Sequence, residues 1–450
     1  MSRDDLTRRE AGKATPPAPA GGPGNGRTYD SDSILTLALE ISAGMLESGA
    51  EVHRVEDTAE RICAAYGAAD AGIFAITNLI TATLIMPDGR DCTQTRRIKA
   101  SRTDLSKIEK LNALSRSICD DPPDPLPVIE QVKEIKRSKS TRPFLMYIGG
   151  LLVAAGFTLF FGGTPADAAL SVAVGLLICL LDFKRPSGLN QIAYTAVVSG
   201  VGTLIIGLIS KATAGWLVTF NPAAANIGVI MLLIPGLALG NAFRDLLCGD
   251  VVSGSLRMTQ SMLTAGSIAG GVAAVLIFLG GEIYGGGDVN PILLVLYGGA
   301  GSAGFSLLFA EPPKKILPAV IGGMIGCACY VAAGRIEIPG VSSVFIASTA
   351  GSAACTLYAE ILARTMKTPA TVFILPALIP LVPGGALYYT MAYLVRGDRG
   401  QAASWALDTL FICFGIAIGI IIVSLAFQLV SGGGKGKKKK SIKKKAGNAR

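Results

Sequence analysis

The sequence predicts a multi-pass α-helical membrane protein made of two inverted-topology five-helix repeats, preceded by an N-terminal cytosolic α+β domain. Three observations support this prediction. The chain has 450 residues, half of them hydrophobic, and its mean hydropathy is positive. Apolar runs recur from Phe144 to the C-terminus, and each is long enough for the roughly 20 helical residues that cross a bilayer. The third observation is an internal duplication at an offset of 148 residues.

The duplication is clearest around two Pro-Gly pairs. Residues 233–250 and 381–398 are identical at 8 of 18 positions, and the same offset aligns residues 156–161 with 304–309. We therefore expect membrane repeats over 143–280 and 291–430, each with five spans, and an odd number of spans inverts the second repeat. The predicted span cores are 144–162, 166–182, 190–210, 224–243, 257–279, 291–309, 316–334, 341–362, 371–394 and 402–430.

The first 140 residues have a different character. Residues 1–29 are rich in Pro, Gly and charge and are expected to be disordered, and they contain no apolar core of a signal peptide. Residues 30–140 predict a compact α+β domain. Its expected elements are one long helix over 31–66, strands near 73–76, 81–86 and 92–98, and helices over 104–119 and 128–137.

The formal charge of +9 is confined to the C-terminus. The tail 431–450 contains eight lysines and Arg450 and no acid, so the rest of the chain has 32 basic and 32 acidic residues. A lysine-rich tail beside a membrane span is expected to lie on anionic lipid, at about 1 kcal/mol per residue near the surface, and not on nucleic acid. The nine cysteines form no CxxC pair, so neither a disulfide framework, a metal site nor a cofactor is predicted.

The distribution of basic residues predicts the orientation. With a cytoplasmic N-terminus, the cytoplasmic loops contain more Lys and Arg than the outer loops, and the 280–290 loop carries only acids. We therefore expect a plasma-membrane protein with both termini in the cytoplasm. The inner basic residues are Lys184, Arg185, Arg244, Lys314, Lys315, Arg364 and Lys367, against Lys211, Arg335, Arg396 and Arg399 outside.

The paired Pro-Gly sites are the first candidate functional feature. Proline inside a helix removes a hydrogen bond and costs about 3 kcal/mol, and in lipid such a break is tolerated only where protein or water covers it. Two breaks at equivalent places, Pro235-Gly236 and Pro383-Gly384, suggest half-helix ends that meet near the midplane and bind a small charged solute. The alternative is a pair of kinks that serve packing alone.

Polar and charged residues in or beside the spans are the second candidate feature. Ionisable groups at membrane depth are costly and often functional. Asp408 is also consistent with an interfacial position, Glu360 with a side chain that reaches the interface, and Arg244 with a salt bridge to Asp245. The candidates for substrate or proton coupling are Asn241, Arg244, Asp245, Asp250, Arg257, Glu360, Asp398 and Asp408.

A charged cluster in the first helix is the third candidate feature. Glu51, His53, Arg54 and Glu56 lie within one stretch, and we expect the cluster to pair with another element or with loops under the membrane domain. His53 is the only histidine in the chain, so a solvated helix face is a better interpretation than a metal site.

Two motifs resemble a known family. The stretch 48–58 (Ser-Gly-Ala-Glu-Val-His-Arg-Val-Glu-Asp-Thr) looks like the signature of the cytosolic domain of the threonine/serine exporters, and Ile-Pro-Leu-Val-Pro-Gly over 379–384 looks like their C-terminal membrane domain. The resemblance covers about 30–430, without the 281–290 spacer and the Lys-rich tail. It implies a ten-span exporter with an N-terminal cytosolic domain. Some members of the family are split into two chains, and some are linked to C4-dicarboxylates.

The sequence therefore predicts a secondary active exporter, an antiporter driven by the proton gradient, for a small polar metabolite such as threonine or serine. A zwitterion needs a partner for its carboxylate, such as Arg244 or a helix N-terminus, and one for its ammonium group, such as Asp250, Asp398 or Asp408. A C4-dicarboxylate exporter and a membrane receptor with a signalling or hydrolytic cytosolic domain are the alternatives. Catalytic patterns are absent from the sequence, so an enzyme is not predicted, and the number of copies in the assembly stays open.

Overall fold

In the computed structural model, which describes residues 29–99, 102–138, 143–183, 189–214, 220–279 and 287–447, the chain begins with a small α+β domain. Two helices precede a three-stranded antiparallel sheet of order β1-β2-β3, and two helices follow it. The elements are α1 (Ser31–Glu47), α2 (Val52–Ala65), β1 (Asp70–Ile76), β2 (Leu79–Ile85), β3 (Asp91–Arg97), α3 (Leu105–Asp120) and α4 (Pro125–Arg137).

The prediction of one long helix over 31–66 is wrong, because the chain breaks between α1 and α2. Gly49 has a φ of +89°, a left-handed conformation that favours glycine, and α1 ends just before it. The hydroxyl of Ser48 donates to the carbonyl oxygen of Gly44 at 2.7 Å. The break lets both helices bury apolar side chains in the core that includes Ile80 and Leu84 of β2.

The remainder of the described chain is helical and forms a membrane domain. By length and composition, seven of its described helices are able to span a bilayer, and α14 with α15, bent by 45° at their junction, would make an eighth. The helices are α5 (Pro143–Phe160), α6 (Pro165–Phe183), α7 (Gln191–Ala212), α8 (Pro222–Ile230), α9 (Gly236–Cys248), α10 (Val251–Leu279), α11 (Pro291–Leu308), α12 (Pro313–Ala333), α13 (Ser343–Thr365), α14 (Ala370–Leu378), α15 (Gly384–Arg396) and α16 (Arg399–Gly447).

The helix boundaries repeat along the chain. Helices α5, α6, α8, α9 and α10 begin 148 residues before α11, α12, α14, α15 and α16, respectively. The third helix departs from this register, since α13 begins 152 residues after α7. The difference of four residues arises because α12 is two residues longer than α6, at 21 against 19, and the connection to the next helix is two residues longer, at 9 against 7.

The first helices of the two repeats pack against each other with equivalent contacts. A Cβ atom on Gly156 of α5 would lie 3.2 Å from the backbone nitrogen of Gly301, and one on Gly304 would lie 2.7 Å from a methyl carbon of Val153. Residue numbers rise along α5 as they fall along α11, so the two helices run antiparallel. The contacts are mates at the 148-residue offset, because Gly156 corresponds to Gly304 and Val153 to Gly301.

The third and fifth helices of each repeat run parallel to each other. In the first repeat, a Cβ on Gly200 of α7 would meet the carbonyl oxygen of Gly271 of α10 at 3.1 Å, and one on Gly207 would meet Leu279. Residue numbers therefore rise together along the two helices. In the second repeat, Gly415 and Gly419 of α16 lie against Ser348 and Ser352 of α13, respectively, which again gives a parallel pair.

The N-terminal domain contacts the membrane domain mainly through α14 and the loop between α11 and α12. Val372 and Leu375 of α14 belong to the hydrophobic core of the N-terminal domain. The backbone N–H of Leu105 donates to the carbonyl oxygen of Phe309 at 2.8 Å. The ammonium group of Lys315 forms an ion pair with Glu109 of α3. The first two turns of α14 are therefore held by the N-terminal domain.

Candidate functional site

The two Pro-Gly pairs have the same local structure. Pro235 has φ −79° and ψ 47°, and Pro383 has φ −75° and ψ 45°. Each proline precedes a helix of 13 residues that ends at a glycine with a left-handed backbone, Gly249 or Gly397. The spans predicted over 224–243 and 371–394 are thus each two half-helices joined at the proline, because proline restricts the residue before it to extended backbone.

The two breaks lie next to each other in the centre of the membrane domain. A Cβ atom on Gly384 would lie 2.7 Å from the sulfur of Met231 and 3.5 Å from a methyl carbon of Ile234. These residues end the chain segment before Pro235. Tyr388 and Tyr389 of α15 share one buried cluster with residues of α5, α8, α10 and α11, so both repeats meet at this point.

A small cavity of about 90 Å³ lies between α7, α8, α10 and α15. Its polar side chains form a buried network: the hydroxyl of Thr203 donates to the Asn226 amide oxygen at 2.9 Å, and the Tyr388 hydroxyl is hydrogen-bonded to the Asn226 side chain. Sequence reasoning missed these residues because it considered mainly ionisable groups. An amide within the apolar stretch before Pro235 was the available signal.

A much larger cavity of about 890 Å³ lies between the N-terminal domain and the second repeat, and we refer to it as the interdomain cavity. Helices α2 and α3 form one wall, and α13, α14 and α16 form the other. Charges of both signs line it in equal number: the guanidinium groups of Arg54, Arg61, Arg116 and Arg364, and the carboxylates of Glu51, Asp57, Asp120 and Glu360.

The two cavities are lined by equivalent residues of the two repeats. On the fourth and fifth spans the equivalence follows the 148-residue offset, and on the third span it follows the shifted register, at 153. The pairs are Pro222 and Ala370, Ala223 and Thr371, Asn226 and Ile374, Leu276 and Ser424, Leu279 and Phe427, Gly207 and Glu360, Ser210 and Ala363, and Lys211 and Arg364. The cavities are therefore the same architectural site, formed once in each repeat.

The equivalence includes a cationic contact at the end of each cavity. In the small cavity, the ammonium group of Lys211 donates to the carbonyl oxygen of Leu279. In the interdomain cavity, the guanidinium of Arg364 lies 4.0 Å from the ring centre of Phe427. Arg364 also contacts the Glu360 carboxylate at 3.2 Å. In each repeat a cation at the end of the third span thus touches the fifth span.

The charged cluster predicted from the sequence faces the interdomain cavity. Arg54 donates through Nη1 to the hydroxyl of Thr371, on the first turn of α14, at 2.7 Å. Glu51 is buried, with its Oε2 atom 3.6 Å from Nε2 of His53. Glu56 has a different position, because its carboxylate accepts from the backbone N–H of Ala75 at 2.8 Å and burial raises its pKa. Within the described ranges, no group of ligand side chains has the arrangement of a metal site.

Most of the predicted residues near the membrane line neither cavity. Asp245 is buried with its Oδ2 atom 3.5 Å from Nε of Arg257, Asp398 is exposed and accepts from the backbone N–H of Gln401 at 3.1 Å, and Asp250 is half-buried at the start of α10. Two more, Asn241 on α9 and Asp408 on α16, are half-buried, and the side chain of Arg244 lies outside the described part of the structure. Of the predicted ionisable residues beside the spans, only Glu360 lines a cavity.

A buried ionic group at the domain contact was not predicted. Glu311, in the loop between α11 and α12, is only 4% exposed, and burial raises its pKa to about 8 against the opposing effects of Ser306 and Lys315. Lys315 is also buried and donates to the Thr368 hydroxyl at 2.7 Å. The sequence placed Lys315 in a loop as a topology signal, and its neighbours on α3 became apparent only from the fold.

Two family models match the chain in tandem. The model described as "Putative threonine/serine exporter" matches residues 36–279, which cover the N-terminal domain and the first repeat. The model described as "Threonine/Serine exporter, ThrE" matches residues 296–426, which cover the second repeat. None of the solved structures matches the chain.

Three curated relatives are similar to the chain. A "Probable threonine/serine exporter" of Mycobacterium tuberculosis is 23% identical over 420 residues, covering 87% of this chain and 76% of the relative. A "Threonine/serine exporter" of Corynebacterium glutamicum is 22% identical over 417 residues, 88% of this chain and 83% of the relative. A "Probable succinate transporter subunit YjjP" of Klebsiella aerogenes is 23% identical over 247 residues, 55% of this chain and 94% of the relative. The first family model alone spans more than half of the chain, which therefore belongs to the threonine/serine exporter family of multi-pass membrane transporters.

Proposed function

We propose that the protein is a secondary active exporter of small polar metabolites, with threonine and serine as its first candidate substrates, and that it works by alternating access. The observation that supports this most directly is the pair of equivalent cavities, one in each repeat. The interdomain cavity falls within the roughly 300–1,000 Å³ typical of small-molecule sites, and the small cavity is well below it. The two sizes fit a conformation that is open at one cavity and closed at the other.

An inverted repeat explains how equivalent cavities come to open on opposite sides. The antiparallel contact of α5 with α11 supports inversion, because these helices are equivalent in the two repeats. The parallel pairs α7 with α10 and α13 with α16 support an odd number of crossings per repeat. Each pair requires the segment between its members to return across the membrane, so α8 with α9 forms one span, and α14 with α15 forms another. The proposed layout has ten spans.

We propose that the N-terminal domain is cytosolic, which makes the interdomain cavity the cytosolic one. Basic residues support this orientation through the positive-inside rule, since Lys315, Arg364 and Lys367 lie on the side of the N-terminal domain. On the opposite side, Lys211 is the only Lys or Arg among the described residues that line the small cavity. The C-terminus after ten spans is then cytosolic as well.

Proton coupling remains part of the proposal. Asp408 is half-buried on α16, close enough to Tyr330 of α12 for their charges to interact, and a carboxyl at such a position is a candidate proton carrier. Glu360 is the other candidate, because it lines the interdomain cavity within reach of Arg364. A proton gradient would then supply the driving force for export.

The charge balance of the interdomain cavity bears on the choice of substrate. The relative from Klebsiella aerogenes, described as a probable succinate transporter subunit, makes a C4-dicarboxylate the second candidate. A dianion is best held by an excess of cations, whereas this cavity has four guanidinium groups and four carboxylates. Equal numbers of both signs suit a zwitterion, so a neutral amino acid is the better match.

The test is counterflow in proteoliposomes containing the full chain, with threonine, serine, succinate and malate as solutes. We expect exchange of threonine and serine, and faster uptake under an imposed proton gradient. Tyr388→Phe, which removes only the hydroxyl on Asn226, should lower the flux by about tenfold, as expected for loss of one hydrogen bond at a buried polar site. Tyr358→Phe is the matched control, since Tyr358 lines neither cavity. Exchange of dicarboxylates alone would establish the second candidate, and no flux of any solute would support the receptor alternative.

A further inference from the structure

The wall of the interdomain cavity that comes from the N-terminal domain has no counterpart at the small cavity. The described residues that line the small cavity all come from the membrane domain, between Thr203 and Tyr388. The interdomain cavity adds residues of α2, α3 and the segment before α2. The two repeats are thus equivalent, but a solute that enters from the side of the N-terminal domain meets additional polar groups first.

One turn of α2 contributes groups of both signs to this wall. Glu51 is the residue that precedes α2, and Arg54 lies three positions later, so the two side chains project from the same face of the turn. Both line the interdomain cavity. Glu51 is 4% exposed, and a carboxylate so deeply buried requires cationic or hydrogen-bonding partners. The His53 ring, 3.6 Å away, is one of its neighbours.

Arg54 connects this turn to the translocation pathway. Its Nη1 atom donates to the hydroxyl of Thr371, whose equivalent in the first repeat, Ala223, lines the small cavity. A guanidinium group has five N–H donors, so Arg54 has the capacity to keep this bond and to bind a carboxylate with its other donors. Val372 and Leu375 hold the same helix in the core of the N-terminal domain.

We propose that the interdomain cavity is an entry site for an α-amino acid, in which Arg54 binds the carboxylate and Glu51 binds the ammonium group. The inference rests on the proposed function and adds a second point of recognition to the path. The opposite charges are presented by adjacent positions of one helical turn, which matches a solute that carries both charges on one carbon. A dicarboxylate would place a negative group beside Glu51 and would be repelled.

The first experiment measures transport from each face of the membrane. In proteoliposomes of uniform orientation, Arg54→Gln and Glu51→Gln should each raise the half-saturating concentration of threonine at the face of the N-terminal domain by at least about tenfold, as for removal of one partner of a buried charge pair. The half-saturating concentration at the opposite face should be unchanged. Arg90→Gln is the matched control, since Arg90 pairs with Asp88 in an exposed turn away from the cavity. Equal effects at both faces, or none at the face of the N-terminal domain, would overturn the proposal.

A second experiment separates recognition from damage to the fold, using Cys119, which lines the same cavity. In the purified full chain, threonine should slow modification of Cys119 by a maleimide. Threonine without its carboxyl group, 1-amino-2-propanol, should protect the wild type and Arg54→Gln alike, whereas threonine should lose protection in Arg54→Gln. Loss of protection by both compounds would indicate a collapsed cavity and overturn the assignment of Arg54. If wild-type proteoliposomes move no amino acid, the proposed function fails, and protection of Cys119 by threonine, or its absence, still decides the entry site.

Discussion

The carboxyl group of Glu311 makes the contact between the two domains sensitive to pH. Its pKa in the fold is about 8, against an ordinary value of 4.5, because burial disfavours the charged form. Between these values the folded protein holds a proton that the unfolded chain has released. Stability should therefore fall as pH rises through this window, and it is fully present below it.

Glu311→Gln tests this effect by replacing the carboxyl group with a neutral amide of the same shape. We expect the wild type to have a lower thermal midpoint at about pH 8 than at about pH 5, and the variant to lose much of this difference. Thermal unfolding in detergent at both pH values measures it. Glu337→Gln, at an exposed position after α12, is the control. A variant with the full wild-type pH dependence would show that another group is responsible.

At the scale of residues, the sequence was most informative about conformation and least informative about partners. The positions of Pro235 and Pro383 predicted their breaks, because the restriction imposed by proline is local. Asp245 was recognised as a costly buried charge, yet its described partner Arg257 lies 12 positions away on the next helix. Asn226 was missed because a single amide in an apolar stretch has no meaning until Thr203 and Tyr388 are brought beside it.

The half-helices α8, α9, α14 and α15 are the elements on which the proposed mechanism depends. Val382, before Pro383, has an extended backbone with φ −63° and ψ 135°, and proline at the next position disfavours the helical alternative. Alanine removes that restriction. Pro383→Ala and Pro235→Ala should therefore allow each pair of half-helices to approach one continuous helix, with unchanged or greater stability.

The expected result for these two variants is poor transport by a well-folded protein. Flux per folded molecule should fall at least about tenfold in each single variant, because half-helix ends at the centre would be tied into regular hydrogen bonding. The double variant shows whether the two breaks act as one site, in which case the losses are not additive. Pro318→Ala, at a proline inside α12 without a repeat partner, should transport normally. Unfolding of the variants with flux preserved in the folded fraction would make the breaks packing features.

At the scale of elements, the hydrophobic patterns predicted the helices and strands well and their interruptions unevenly. The break at Gly49 was overlooked, because glycine inside a helical pattern is tolerated and its left-handed backbone is visible only in the fold. The shift of α13 by four residues was hidden for a similar reason. Small extensions of α12 and of the following connection leave the Pro-Gly alignment intact on either side.

At the scale of the whole molecule, the duplication makes one cavity in each repeat, and the N-terminal domain makes them different. The offset in the sequence predicted the repeats, but not which residues would line a shared path. That requires the parallel packing of α7 with α10 and of α13 with α16, which no local pattern encodes. The N-terminal domain adds its own charged wall to one cavity only, and this gives an otherwise symmetric design a direction.

If the two cavities open in turn, equivalent positions in them should respond in opposite directions. Ser210 and Ala363 are such a pair, on α7 and α13 respectively. In the conformation described here, a cysteine at position 363 should react readily with a membrane-impermeant reagent at the face of the N-terminal domain. A cysteine at position 210 should react slowly at the opposite face, because its cavity is only about 90 Å³.

Saturating threonine at the face of the small cavity should reverse this order. The solute stabilises whichever conformation binds it there, so reaction of Ser210→Cys should speed up while reaction of Ala363→Cys slows by a similar factor. Modification rates on the two single variants measure both changes, and Glu337→Cys, at an exposed connection, should react at a constant rate. Rates that rise or fall together would mean that the cavities open independently. The repeats would then share an architecture without sharing a transport cycle.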